Sequence, residues 1–122
     1  MTGDFTQHVE VQRPDGRCVH AWRRPGGTRP VLAVHGLSST SRLWSWTLAA
    51  APDVDLVAAD LSGRGWSTPR SDASTLAGHV ADQLAVLDAL GLETVDVLGM
   101  SLGGFVAVQL AVTAPGRVRS LT

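Results

Sequence analysis

The sequence predicts an α/β protein: a mostly parallel sheet with helices on both faces, preceded by an antiparallel hairpin. Three observations carry this expectation. Short apolar runs, Val31-Leu32-Ala33-Val34, Val54 to Ala59 and Val95-Asp96-Val97-Leu98, recur along the chain, as strands covered on both faces do. Longer segments with helical character follow each run. Two segments of strict apolar/polar alternation come before the first run, the pattern of a hairpin with one wet face. Strand-helix alternation repeated three times implies parallel pairing and right-handed crossovers.

Taken in order, His8 to Gln12 sets Val9 and Val11 against His8, Glu10 and Gln12. Pro14-Asp15-Gly16 is a turn signal. Cys18 to Arg23 alternates again, with Val19 and Ala21 opposite His20 and Trp22. His8 and His20 can meet across this hairpin, but two histidines without a third ligand are far more often surface residues than a metal site. After the loop Arg24 to Pro30, the strand Val31–Val34 ends in His35-Gly36-Leu37-Ser38-Ser39. A helix is expected from about Ser41 to Ala51, burying Leu43, Trp44 and Leu48. The strand Val54 to Ala59 ends at Asp60 and leads into the loop Asp60 to Ser67, then an irregular Thr68 to Asp72. Ser74 or Thr75 can cap a helix reaching about Leu90. Its apolar set Leu76, Val80, Leu84 and Leu87 steps by four, four and three, and Gly91 ends it. His79 and Asp82 read as a solvated pair on its outer face. Another strand and helix follow, stopped at Ala114-Pro115-Gly116, and Val118 to Thr122 begins a further strand.

Composition narrows the function classes. At 122 residues the chain suffices for one domain with a modest core, and 44% hydrophobic against 17% charged residues places it among globular rather than disordered chains. A formal net charge of −1 offers no electrostatic footprint for nucleic acid or an anionic membrane. The single Cys18 excludes an intrachain disulfide and suits a reducing compartment. The polar N-terminus carries no visible signal peptide, and no apolar run has the length of a membrane span. A cytoplasmic location is therefore expected.

The chemistry-bearing residues follow the apolar runs, where parallel sheets carry their functional groups. Gly99-Met100-Ser101-Leu102-Gly103 turns from strand to helix with a serine at its tip. It matches Gly-x-Ser-x-Gly, the nucleophile elbow, in which a strained turn lifts a serine hydroxyl above the sheet. The glycines let strand and helix approach closely. By itself the pattern arises by chance in roughly one such chain in ten. Two further motifs supply context: His35-Gly36 after one strand, and Asp60-Leu61-Ser62-Gly63-Arg64-Gly65-Trp66-Ser67 after the next.

In this order the three motifs resemble the N-terminal half of the α/β-hydrolase fold family. The resemblance covers most of the chain, with the core motif region at 30–122, and implies a serine hydrolase acting on an ester-like or other carbonyl substrate. It makes Ser101 the nucleophile, with oxyanion donors in the backbone N–H groups of Leu102 and Leu37. His35 becomes a shaper of the oxyanion loop rather than the base. Asp60 becomes a carboxylate that ties loop backbone together, with Gly63 and Gly65 permitting its path. Trp66 lines the pocket or packs beside it. No cofactor and no metal is implied. A serine at position 101 argues against epoxide hydrolase and haloalkane dehalogenase chemistry, which uses a carboxylate, and leaves esters, lactones, carbon–carbon bonds next to a ketone and peroxyacid chemistry open.

In this family the triad runs serine, acid, histidine, yet Leu102 to Thr122 holds no Asp, Glu or His. The expectation is a single partial domain over 1–122, an incomplete α/β-hydrolase fold without its C-terminal strands and cap, and inactive alone. The alternative is a noncatalytic half-fold that assembles with a complementary chain, or with itself, through an open sheet edge beside the elbow strand.

Overall fold

The computed structural model describes residues 4–67 and 74–122; the stretch Thr68 to Asp72, expected to be irregular, lies outside them. Strands β1 (Gln7–Gln12), β2 (Cys18–Arg24), β3 (Val31–Val34), β4 (Leu56–Ala59), β5 (Val95–Gly99) and β6 (Val118–Leu121) form one sheet in the order β1-β2-β4-β3-β5-β6. β1 pairs with β2 and β2 with β4 antiparallel; the remaining pairs are parallel. This is the mixed α/β sheet the alternation predicts, with β3 central and its carboxyl end flanked by those of β4 and β5.

The alternation of side chains across β3 divides the core. Leu32 and Val34 join Val57, Ala59, Val95 and Val97 beneath helices α2 (Leu76–Ala89) and α3 (Leu102–Thr113). Ala33 faces the other way and packs with Leu56, Ala58, Trp44 and Leu48. Trp44 closes a short 3-10 turn, Ser41–Trp44, and Leu48 belongs to α1 (Ser45–Ala50). The single helix expected from Ser41 to Ala51 is thus a 3-10 turn running into one and a half turns of α-helix. Thr75 caps α2 by accepting from Gly78 N at 3.0 Å, and Gly91, at φ +69°, lets the chain leave it.

Two expectations are corrected. His79 and Asp82 are both buried, at 3% and 1% exposure, and do not form a solvated pair. The Asp82 carboxylate instead receives Arg17 Nη1 and Nη2 at 2.8 and 2.9 Å and Arg13 Nε at 2.9 Å, tying the β1–β2 turn to α2. The flank of the elbow strand is also covered: β6 pairs with β5, and Gly99 N donates to Thr122 O at 2.9 Å. The exposed apolar surface lies further out, at Phe105, Val108 and Val112 on α3 and Leu121 on β6. Among the described residues no helix is long and apolar enough to cross a membrane.

Candidate active site

Ser101 stands between the end of β5 and the first turn of α3. It is the one described non-glycine residue with positive φ, at φ 56° and ψ −120°, a conformation held only where the surrounding structure over-determines it. Neighbouring backbone supplies that constraint. Met100 N donates to Val34 O at 3.1 Å, and Gly103 N and Gly104 N close the turn on Met100 O and Ser101 O at 2.9 and 2.8 Å. A Cβ at Gly103 would overlap Val34 O, and one at Gly99 would overlap Gly103 O. Glycine at both positions is what lets α3 sit directly on β3 and β5. Ser101 is left exposed, with the Leu102 amide beside it in a helical first turn, where N–H groups have no intrahelical acceptor and the helix dipole favours negative charge.

The loop after β3 reaches the same place. A Cβ on Gly36 would come within 3.3 Å of the Ser101 Cβ, so the two turns touch and Leu37 is the next residue along. His35, fully buried, is engaged at both ring nitrogens. Nδ1 donates to Gly36 O at 2.8 Å and Nε2 accepts from Leu61 N at 3.0 Å. Both contacts require a neutral imidazole, and burial pushes its pKa below the ordinary value, against a smaller opposing pull from the Gly36 carbonyl and Asp60. A ring so occupied has no nitrogen left to take a proton from Ser101.

Asp60 lies at the end of β4, 2% exposed. Oδ1 accepts from Ser41 N at 2.8 Å and Oδ2 from Trp66 N at 2.9 Å, so the carboxylate bridges the loops that follow β3 and β4. Gly63 and Gly65 have φ of +81° and +54°, and a Cβ on Gly65 would overlap the Asp60 carboxylate. Ser67 Oγ donates to Asp60 O at 2.6 Å and accepts from His20 N at 3.0 Å. Trp66 is exposed and, with Trp22, Phe5, Ser41 and Arg42, lines a cleft of about 790 Å³ on the β2 side of Asp60. Ser101 is not among the residues lining that cleft.

Arg64 was not legible as part of this region. Its Nε donates to Leu37 O at 3.1 Å and its Nη1 to Ser62 O at 2.8 Å, which fastens the loop carrying Leu37 to the Asp60 loop. An arginine between two glycines carries no sequence signal for such a tether.

A mixed sheet with these turns at the carboxyl ends of β3, β4 and β5 is the arrangement of the alpha/beta hydrolase fold. Residues 29–122 match the model of the alpha/beta hydrolase fold family, and the chain belongs to that family. It is 41% identical over 108 residues to the dihydrolipoyllysine-residue acetyltransferase component of the acetoin cleaving system of Cupriavidus necator, covering 88% of this chain and 29% of that protein. It is 36% identical over 97 residues to lipase LipV of Mycobacterium tuberculosis, covering 80% and 37%. A crystal structure of a hydrolase from Pseudomonas aeruginosa superposes with a TM-score of 0.85 at 29% identity, covering 97% and 45%. The chain spans about a third of the length of these curated relatives.

Proposed function

We propose that this chain carries the nucleophile half of a serine hydrolase acting on small ester-like substrates, with Ser101 as the nucleophile. The observation that supports this most is the backbone of Ser101, a serine held at positive φ at the head of α3 with Gly36 packed against it. In this reading Ser101 Oγ attacks the substrate carbonyl carbon while a histidine takes its proton. The carbonyl π-electrons move onto oxygen, and the amides of Leu102 and Leu37 stabilise that oxyanion. Collapse expels the alcohol, which regains the proton, and water then releases the acid from the acyl-serine.

The base and its orienting acid come from outside residues 1–122. Each of the four histidines is accounted for elsewhere: His35 is doubly hydrogen-bonded, His79 is buried on α2, and His8 and His20 are paired on the hairpin. The test is nitrophenyl acetate turnover by the chain and by Ser101→Ala. Equal slow rates are expected for the chain alone. Joining the chain to the C-terminal strands of a family hydrolase should restore a turnover that Ser101→Ala abolishes; a fusion in which Ser101→Ala changes nothing overturns the assignment.

A second reading, assembly with a complementary chain or with itself, is favoured by one observation. Phe105, Val108 and Val112 form a stripe on the outer face of α3 at 70%, 53% and 71% exposure, and clustered exposed apolar side chains of this kind mark interaction surfaces.

A further inference from the structure

We propose that the N-terminal hairpin is a divalent transition-metal site, with His8 and Glu10 of β1 and His20 of β2 as its ligands. The strand register makes it. Glu10 lies opposite His20, and His8 is two residues along the same face of β1. Val9, Val11, Val19 and Ala21 point the other way into the core. The ligating atoms of His8, Glu10 and His20 all lie within 4.8 Å of one another. His8 Nε2 is 2.8 Å from His20 Nδ1, and Glu10 Oε1 is 4.0 Å from that same Nδ1.

The donor set, with two of its atoms already adjacent, points to the class of ion. Two nitrogens 2.8 Å apart, each bonded at about 2.05 Å, subtend about 86° at a shared cation. That is close to the angle between neighbouring positions of a square or octahedral centre, reached once the proton between the rings has moved. Two imidazoles and a carboxylate, with open positions for water, are a donor set that suits Ni²⁺ or Cu²⁺. Without metal, one ring donates to the other. On binding, the donor ring moves that proton to its far nitrogen and turns its lone pair to the ion.

The rings are held for this. His20 Nε2 lies 3.7 Å from Cys18 Sγ, an outer contact that orients the ring so that Nδ1, the atom hydrogen-bonded to His8, is the one that turns to the ion. Trp22 stacks on His8 at 4.9 Å between centroids, and Trp66 meets His8 and His20 edge-on at 5.7 and 5.9 Å. The Trp66 amide in turn donates to Asp60, so an ion here also braces the loop after β4. This proposal is independent of the serine reading.

The same tryptophans report the test. Titrating the 122-residue chain with NiCl₂ should quench tryptophan fluorescence saturably with one ion per chain. His8→Ala and Glu10→Gln, both at exposed positions, should keep the wild-type circular dichroism and weaken binding about 10-fold or more. Cu²⁺ bound to the wild type should show two equivalent-type nitrogen couplings in its paramagnetic resonance spectrum, and one in His8→Ala. Unsaturable quenching, or affinity unchanged in His8→Ala, overturns the site. Affinity lost in His8→Ala but unchanged in Glu10→Gln overturns the three-ligand set.

Discussion

At Ser101 the backbone does the work that a single side chain cannot. Positive φ at a non-glycine residue costs about 1–3 kcal/mol, and here it is retained because Gly99, Gly103 and Gly36 let two turns close around it. Ser101→Gly is therefore expected to raise the denaturation midpoint, being about 1 kcal/mol more stable than Ser101→Ala, while losing the hydroxyl. Equal stability of the two would mean the turn is unstrained. His35 gives a pH signature. Burial lowers its pKa and that of His79, so the unfolded chain binds protons that the folded chain refuses. Stability is then fully present above the ordinary imidazole value of about 6.5 and falls as pH drops below it. Urea midpoints measured from pH 7.5 to 5 should fall, and His79→Gln should flatten part of that fall. The motif residues were legible because each performs a local backbone task that few residue types can do. His79 was not, because its burial depends on what packs over α2 from elsewhere in the chain.

Elements here are fastened by arginine–carboxylate pairs as well as by apolar packing. Asp82 on α2 takes hydrogen bonds from Arg13 and Arg17 of the hairpin, and Arg17 also holds Asp15 through Nε at 2.7 Å. Removing the shared carboxylate leaves the 7%-exposed Arg17 without its main partner. Asp82→Ala should cost about 3–5 kcal/mol, read as a lowered urea midpoint; a loss under 1 kcal/mol would show the pair to be incidental. The apolar spacing of α2 located the helix but not its full buried face. Leu76 is 37% exposed while Asp82 and Gln83 are each 1% exposed, because a charged residue can be buried once a partner some seventy positions away reaches it. Periodicity sees only apolar positions, so it assigned that pair to solvent.

For the whole molecule, continuous apolar runs separated by helices were enough to give the parallel core, the hairpin and the helices on both faces, because each signal is local and repeated. The pairing of β6 with β5 was less visible: four residues of modest hydropathy gain their place from the groove beside the elbow strand rather than from their own pattern. The apolar stripe of α3, continued at Leu121, has its consequence at this scale. Gel filtration of the 122-residue chain is expected to show association that Phe105→Asp combined with Val112→Asp reduces; a wild-type monomer would contradict that reading. The central claim, that Ser101 is half of an active site completed from outside residues 1–122, is tested most directly by nitrophenyl acetate turnover of the isolated chain beside Ser101→Ala. The two rates should agree, with no burst of nitrophenol. Multiple turnovers by the wild type that vanish in Ser101→Ala would contradict it and show a base within the chain itself.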